Sequence, residues 1–277
     1  MWDDRTGSLR RVDAVAGAVA RLDVATDDEQ RFHVGRHVGS LILREDGKGV
    51  LLAAQGGFYL LDTGTGAVAL LAAVQADDPQ IVMNDGACDL GGAVRRRVAG
   101  AVARPGSAGL YRCPPPSSAT PLLEGAGLRN GLCWEAACTT LLWVDALLGR
   151  VERLGYDLER GTVTSRATAM DLTGWSGLPD GIAMDAEGCL WVAFWRGGGI
   201  RRFDLSGRLL AEVSPPVLRT TSCCFGGEDL ATSTSPRRGK APGTSRRRWA
   251  LAGAVLRVRV DVPGVPGVPV PRWRAYA

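Results

Sequence analysis

The amino-acid sequence predicts an all-β protein, a six-bladed β-propeller built around a central channel. Three observations support this prediction. A short phrase in which Asn or Asp is followed by Gly and a strand recurs three times, and a second phrase, an alternating strand ending at Asp, recurs along the whole chain. No segment long enough to form a helix shows the apolar spacing of an amphipathic helix. Sequence repeats of about 40–50 residues are typical of propeller blades made of four strands each.

The first phrase begins at Asn84, Asn130 and Asp180, which are 46 and 50 residues apart. Glycine lets the chain bend sharply after the polar residue, so each phrase is either a turn or the start of an inner strand that presents a side chain. Ser40 and Ser222 hold the same place in the second and sixth units. Since inner strands begin around the channel, we expect these side chains to be neighbours in space.

The second phrase forms the outer half of each predicted blade. Each copy begins with Gly, alternates apolar and polar residues, and is usually followed by a turn that contains Gly. Its six copies end at Asp23, Asp62, Cys113, Asp157, Asp204 and Asp261.

We expect residues 1–277 to form a single β-propeller domain with two irregular places. The first blade is expected to be incomplete, because Met1 falls in the middle of what should be an inner hairpin. Residues 232–250 are rich in Ser, Pro, Gly and Arg and show no strand alternation, which indicates an irregular loop.

The composition and the cysteine pattern indicate which partners and which cellular compartment to expect. The 277 residues contain no apolar run of about 18 residues, and the polar N-terminus is not a signal peptide, so we expect no membrane association. The seven cysteines form no C-x-x-C pair, which favours reduced, buried thiols in a cytoplasmic protein. Six basic residues lie within 236–248 among Ser, Pro and Gly, a pattern of a solvated loop and not of a nucleic-acid surface. The oligomeric state is left open.

The residue types also limit the chemistry. His33 and His37 are the two histidines, both expected in an outer turn and strand, and neither a Gly-x-Ser-x-Gly elbow nor a P-loop is present. Asn and Asp oxygens are hard ligands that suit Ca²⁺, Mg²⁺ or Mn²⁺, with Zn²⁺ also accommodated. These residue types are compatible with a divalent cation and argue against serine-hydrolase or nucleotide chemistry.

Two motifs add a family resemblance that extends over nearly the whole chain. Residues 179–193, Pro-Asp-Gly-Ile through Trp-Val-Ala, and residues 220–227, Thr-Thr-Ser-Cys-Cys-Phe-Gly-Gly, resemble the regucalcin (senescence marker protein)/gluconolactonase family. The resemblance implies a six-bladed propeller with a central metal channel that hydrolyses small-molecule sugar lactones. It implies that Asn130 and Asp180 are metal ligands, that Asp180 is also the catalytic acid/base, and that Asn84 binds the substrate.

The chain departs from the family pattern at three places, one of which is that no residue beyond Asn84 matches the family's substrate-binding glutamate. The family's third protein ligand, a glutamate in a Gly-Glu-x-Pro phrase just before the tryptophan matched by Trp2, is absent here, and Val82 replaces a family arginine. Two alternatives to a sugar lactonase therefore stay open. One is hydrolysis of another ester or an organophosphate on the same scaffold, and the other is a non-catalytic or degenerate propeller with weak or no metal binding.

Overall fold

The chain folds as β-strands joined by turns. The computed structural model describes residues 1–78, 82–88, 98–102, 109–113, 120–124, 129–135, 139–215, 217–227, 232–235, 255–259 and 272–273. Over these ranges the chain contains strands, turns and isolated bridges and no helix. The predicted all-β class is confirmed.

The described strands fall into six antiparallel sheets that follow one another in chain order. The first two sheets are β1 (Trp2–Asp3), β2 (Ser8–Asp13), β3 (Ala18–Asp23) and β4 (Glu29–His33), then β5 (Val38–Leu43), β6 (Gly49–Ala54), β7 (Gly57–Asp62) and β8 (Val68–Ala73). The next two are β9 (Met83–Cys88), β10 (Val98–Val102), β11 (Gly109–Cys113) and β12 (Thr120–Glu124), then β13 (Arg129–Trp134), β14 (Thr140–Asp145), β15 (Arg150–Asp157) and β16 (Thr162–Asp171). The last two are β17 (Leu178–Met184), β18 (Leu190–Trp195), β19 (Gly199–Phe203) and β20 (Leu209–Val213), then β21 (Cys224–Gly226), β22 (Thr232–Ser235) and β23 (Leu256–Arg259).

The hydrophobic cores lie between consecutive sheets. Val19 and Phe32 of the first sheet pack with residues of the second, and Leu142 and Val144 of the fourth pack with Phe194 of the fifth. Similar clusters join the second sheet to the third, the third to the fourth and the fifth to the sixth. Complete burial of a side chain such as Phe194 stabilises the fold by about 1.5–3 kcal/mol. Sheets that stack face to face in sequence give a propeller arrangement.

The first strands of the sheets come together at the centre of the molecule. Strand β5 contacts β9, β9 contacts β13, β13 contacts β17, and β17 contacts β21. The circle continues from β21 to β1 and from β2 to β5. The segments predicted as inner strands, with Asn84, Asn130 and Asp180, are therefore the central strands.

The recurring aspartate at the end of the outer phrase forms the turn into the fourth strand. The carboxylate of Asp62 accepts hydrogen bonds from the backbone N–H groups of Gly64 and Thr65, at 2.9 and 2.8 Å. Asp157 does the same for two residues of its own turn. These hydrogen bonds are the main reason that the pKa of Asp62 and that of Asp157 are lowered. The recurrence of aspartate at Asp62 and Asp157 therefore has a structural cause. An aspartate whose carboxylate accepts hydrogen bonds from backbone N–H groups two and three residues ahead favours a turn.

Irregular structure was expected in the first blade and in residues 232–250, and the structure differs from this expectation where it describes them. Strand β1 has two residues, Trp2–Asp3, and completes a four-stranded first sheet. Thr232–Ser235 form β22, which pairs with β21 and β23, so these four residues are a strand and not part of an irregular loop. The remainder of the expected loop, residues 236–250, lies outside the described residues. Two of the four residues, Thr232 and Thr234, are β-branched, a residue type that favours strands.

Residues 272–273 lie against the first two sheets. Backbone N–H and C=O of Trp273 bond Leu43 O and Glu45 N at 2.9 Å each, and the Trp273 side chain is buried in the core of the second sheet. The guanidinium of Arg272 donates to the Asp3 carboxylate at 3.3 Å, in a buried ion pair. This contact joins residues 269 positions apart in the sequence.

Across the residues whose placement the structure gives, we find no helix long and apolar enough to cross a membrane.

Candidate functional site

Three polar residues occupy equivalent positions in the central strands. Asn84, Asn130 and Asp180 are the second or third residues of β9, β13 and β17. In each strand the pairing with the next strand shifts register at this point. Between Pro179 and Ile182, for example, two residues of β17 oppose one residue of β18.

These shifts are β-bulges, and each contains one of the predicted site residues. A bulge leaves an extra residue unpaired, bends the strand and re-aims its side chain. The residue pairs in the bulges of β9, β13 and β17 are Asn84-Asp85, Asn130-Gly131 and Asp180-Gly181. The same backbone irregularity therefore presents an amide or a carboxylate from three successive sheets.

The side chains of Asn84 and Asn130 meet. The Asn84 amide Nδ2 donates a hydrogen bond to Asn130 Oδ1. Asn130 is 7% exposed, whereas Asn84 keeps partial exposure. The sequence-based expectation that residues 46 positions apart are neighbours holds for this pair.

Asp180 lies on the next strand, beside the bulge of β13. A Cβ atom added to Gly131 would come within 2.5 Å of the backbone oxygen of Asp180 and 2.9 Å of the backbone nitrogen of Ile182. The close approach requires glycine at position 131, immediately after Asn130. Asn130 and Asp180 thus stand at the same level of two strands whose backbones touch, and the Asp180 side chain is partly exposed.

The sixth and second sheets approach the same centre through Ser222 and Gly39. Gly181 N–H donates to Thr221 O at 2.9 Å, and a Cβ at Gly181 would lie 2.7 Å from Ser222 Cα. On the other side, a Cβ at Gly39 would collide with the backbone oxygens of Met83 and Asn84. Ser40, 8% exposed, follows Gly39 in β5. The structure therefore brings the five expected strand starts to one end of the central circle.

Asp85 is a further carboxylate at this end of the central strands, and it was not among the predicted site residues. Its carboxylate accepts hydrogen bonds from the backbone N–H of Gly86, at 2.7 Å, and from that of Leu132 in the neighbouring strand β13. Protein surrounds this carboxyl closely although its side chain retains some exposure, and burial raises the pKa of Asp85 to about 6, with the two hydrogen bonds opposing the rise. The Asn-Asp-Gly sequence was its only local signal.

The donor atoms of this site fit a hard divalent cation. Carboxylate and amide oxygens are the ligands that Ca²⁺ and Mg²⁺ prefer, and an amide oxygen such as Asn130 Oδ1 has a second lone pair beside the one that Asn84 uses. Over the described ranges, no group of three or more His, Cys, Asp or Glu side chains could hold a metal ion. A cation here would therefore depend on amide oxygens as well as carboxylates.

Comparison with known proteins identifies the family of this chain. Residues 1–233 match the family model described as SMP-30/Gluconolactonase/LRE-like region. Regucalcin of Xenopus laevis is 35% identical over 237 residues, which cover 83% of this chain and 79% of the relative.

Two solved structures share the fold. A calcium-binding protein, regucalcin, of Agrobacterium tumefaciens superposes with a TM-score of 0.87 at 24% identity, covering 95% of this chain and 90% of that one. A gluconolactonase of Xanthomonas campestris gives a TM-score of 0.70 at 18% identity, covering 84% and 80%.

Proposed function

Because the chain belongs to the SMP-30/gluconolactonase/LRE-like family, we propose that it is a metal-dependent hydrolase that opens sugar (aldono-) lactones. The contact between the Asn84 and Asn130 side chains, with Asp180 on the adjoining strand, is the observation that carries this proposal. Each of the three residues lies in a β-bulge of its own strand, and the three bulges lie at the same end of the central strands. The three side chains can therefore act on the same small molecule.

The roles follow from the chemistry of each side chain. Asp180 is the catalytic base, because its partly exposed carboxylate can take a proton from an attacking water. Asn130 and Asp180 are the metal ligands, and Asn84 holds substrate oxygens with its amide. When bound, the cation would supply Lewis acidity that withdraws electrons from the lactone carbonyl.

The hydrolysis itself needs one water and one proton transfer. The water oxygen forms a bond to the carbonyl carbon while its proton passes to Asp180, and the ring C–O bond then breaks. The proton returns to the alkoxide leaving group, which becomes the hydroxyl of the open-chain acid. General acid–base catalysis of this kind typically contributes about 10²–10⁴-fold to the rate.

We also propose that the six sheets are the six blades of one propeller and that their central strands surround the metal channel. The order of strand contacts from β5 through β21 to β1 supports this. A cytoplasmic location is supported by the free, buried thiols of Cys189 and Cys223, since such thiols persist in reducing compartments.

A metal add-back assay tests the proposed function. The protein is stripped with a chelator, and Ca²⁺, Mg²⁺, Mn²⁺ or Zn²⁺ is returned separately before acid release from glucono-δ-lactone and other aldonolactones is followed in a pH-stat. We expect at least one cation to restore hydrolysis above the uncatalysed rate. Hydrolysis of simple esters or organophosphates alone would redirect the proposal to those substrates, and no metal binding by calorimetry would support a non-catalytic propeller.

A further inference from the structure

Two guanidinium groups lie over one tryptophan at the end of β18. Arg196 Cζ is 4.4 Å from the centre of the Trp195 ring, and Arg219 Cζ is 5.5 Å from it. Cation–π contacts of this length fix the orientation of both the ring and the charges. Trp195, Arg196 and Arg219 are called the Trp195 rim below.

The Trp195 rim lies at the same end of the strands as Asp180. Trp195 pairs with Leu178, two residues before Asp180, and the backbone of Gly177 packs closely against Gly197. Arg219 forms a bridge with Trp195 and is two residues before Thr221, which accepts the hydrogen bond from Gly181. Backbone contacts therefore connect the Trp195 rim to β17, the strand that bears Asp180.

Ion pairing distinguishes Arg196 from Arg201 and Arg202, two other arginines of the fifth sheet. Arg201 pairs with Glu212 at 3.1 Å, and Arg202 pairs with Asp185 at 2.5 Å. Arg196 is exposed, and it has no ion pair within the part of the chain that the structure describes. Its backbone is also left-handed, with φ of 61°, a conformation that costs energy in a non-glycine residue and is frequent at binding sites.

The polar groups of the Trp195 rim are all hydrogen-bond donors. The guanidinium groups of Arg196 and Arg219 donate and cannot accept, and the indole Nε1 of Trp195 is a donor as well, although it is buried. Charged donors of this kind complement an oxyanion.

We propose that the Trp195 rim is a subsite for an oxyanion carried on the sugar away from the lactone ring, as a phosphate ester or a carboxylate. The proposal deepens the lactonase function and rests on it. It makes anionic sugar lactones better substrates than neutral ones.

The kinetic test compares 6-phosphoglucono-δ-lactone, a carboxylate-bearing glucarolactone and neutral glucono-δ-lactone. We expect kcat/KM to be higher for at least one anionic lactone, and the lactone that is favoured identifies the oxyanion. Arg196→Ala and Arg219→Ala should each reduce this preference about tenfold, mainly through KM, and Arg→Lys at each position should recover part of it. A preference that is absent, or unchanged in both alanine variants, overturns the proposal.

Arg208→Ala is the matched control. Arg208 belongs to the same sheet, but it lies in the turn after β19, at the opposite end of the strands, and pairs there with Asp204. The same charge is removed, and we expect the preference to stay as in the wild type. A loss of preference equal to that of the rim variants would mean that net charge, and not the rim, causes it.

Calorimetry separates this proposal from the proposed function. The open-chain acids 6-phosphogluconate and gluconate can be titrated into the protein whether or not it hydrolyses lactones. Tighter binding of 6-phosphogluconate that depends on Arg196 and Arg219, without lactone hydrolysis, would support the subsite and refute the lactonase. Lactone hydrolysis without any arginine-dependent selectivity in either assay would do the reverse.

Discussion

The side-chain amide of Asn84 donates a hydrogen bond to the side-chain oxygen of Asn130, although 46 residues separate them. Each asparagine lies in a β-bulge at the start of a central strand, and a third bulge holds Asp180. The candidate site is therefore formed by a repeated irregularity of the backbone, which places equivalent residues of successive sheets beside one another.

A double-mutant cycle on Asn84 and Asn130 tests whether the two amides act together. We expect Asn84→Ala and Asn130→Ala each to lower kcat/KM for lactone hydrolysis by about tenfold or more, and the double variant to lose less than the sum. Directly contacting residues usually show coupling energies of about 0.5–3 kcal/mol. Strictly additive losses would mean that the hydrogen bond does not link their roles.

Glycine at position 131 is required by the approach of β13 to β17. In Gly131→Ala the new methyl group would meet the backbone oxygen of Asp180 at 2.5 Å, so the strands must separate. We expect a loss of about 1–3 kcal/mol in the free energy of unfolding, measured by urea denaturation, together with reduced activity.

Gly174→Ala is the control for this substitution. An added Cβ there would meet nothing within 4 Å, so stability and activity should stay close to those of the wild type. Equal effects of the two substitutions would contradict the close approach of the central strands.

Asp85 gives a pH dependence to the stability of the metal-free protein. Its folded-state pKa is raised from 3.8 to about 6, so the folded protein holds this proton more tightly than the unfolded chain does. Its contribution to stability is therefore fully present below pH 3.8 and is lost as the pH rises through about 6. At most about 3 kcal/mol is involved, since one pKa unit corresponds to about 1.4 kcal/mol.

Comparison with Asp85→Asn isolates this effect. In chelator-treated samples, the free energy of unfolding of the wild type minus that of the variant should fall between pH 4 and pH 6.5. The variant lacks the titrating group but keeps an oxygen for one backbone hydrogen bond. A difference that does not change with pH, or that rises, would contradict the raised pKa.

Asp185 forms a buried contact that we expect to be needed for the fifth sheet. Its carboxylate accepts hydrogen bonds from Arg202 Nε at 2.5 Å and Trp191 Nε1 at 2.8 Å. Burial opposes its ionisation, but these hydrogen bonds prevail and lower its pKa. Asp185→Asn leaves the buried guanidinium without its carboxylate, and we expect a loss of about 3–5 kcal/mol in the free energy of unfolding.

The contribution of Asp185 to stability changes with pH in the opposite direction to that of Asp85. Because its folded pKa is lowered, its stabilisation is present above the ordinary pKa of 3.8 and is lost as the pH falls below it. Asp204→Asn, in an exposed turn of the same sheet, should destabilise much less. Similar losses in the two variants would contradict the importance of burial.

The sequence predicted the strands that depend on local patterns. Gly57–Asp62 was expected as a strand and is β7, and the aspartate that ends it makes the expected turn. Asn84, Asn130 and Asp180 were expected at the starts of inner strands and are found there. Alternation and turn residues act over a few positions, which is why they can be recognised without a structure.

Other features depend on contacts that no local pattern encodes. The bulges of β9, β13 and β17 arise from pairing with a second strand, and Asp85 reaches Leu132 only after two sheets meet. Arg272 binds Asp3 across nearly the whole chain. Thr232–Ser235 looked irregular because Ser and Thr are common in loops, yet pairing with β21 and β23 makes them a strand.

The activity of Asp180→Asn, measured beside the wild type and Asp204→Asn with a restored divalent cation, tests the central claim most directly. The substitution keeps the size of the side chain and removes the base. We predict that kcat for aldonolactone hydrolysis falls by about 10²–10⁴-fold in Asp180→Asn and stays near the wild-type value in Asp204→Asn. Equal activity of folded Asp180→Asn and wild type would contradict Asp180 as the catalytic residue.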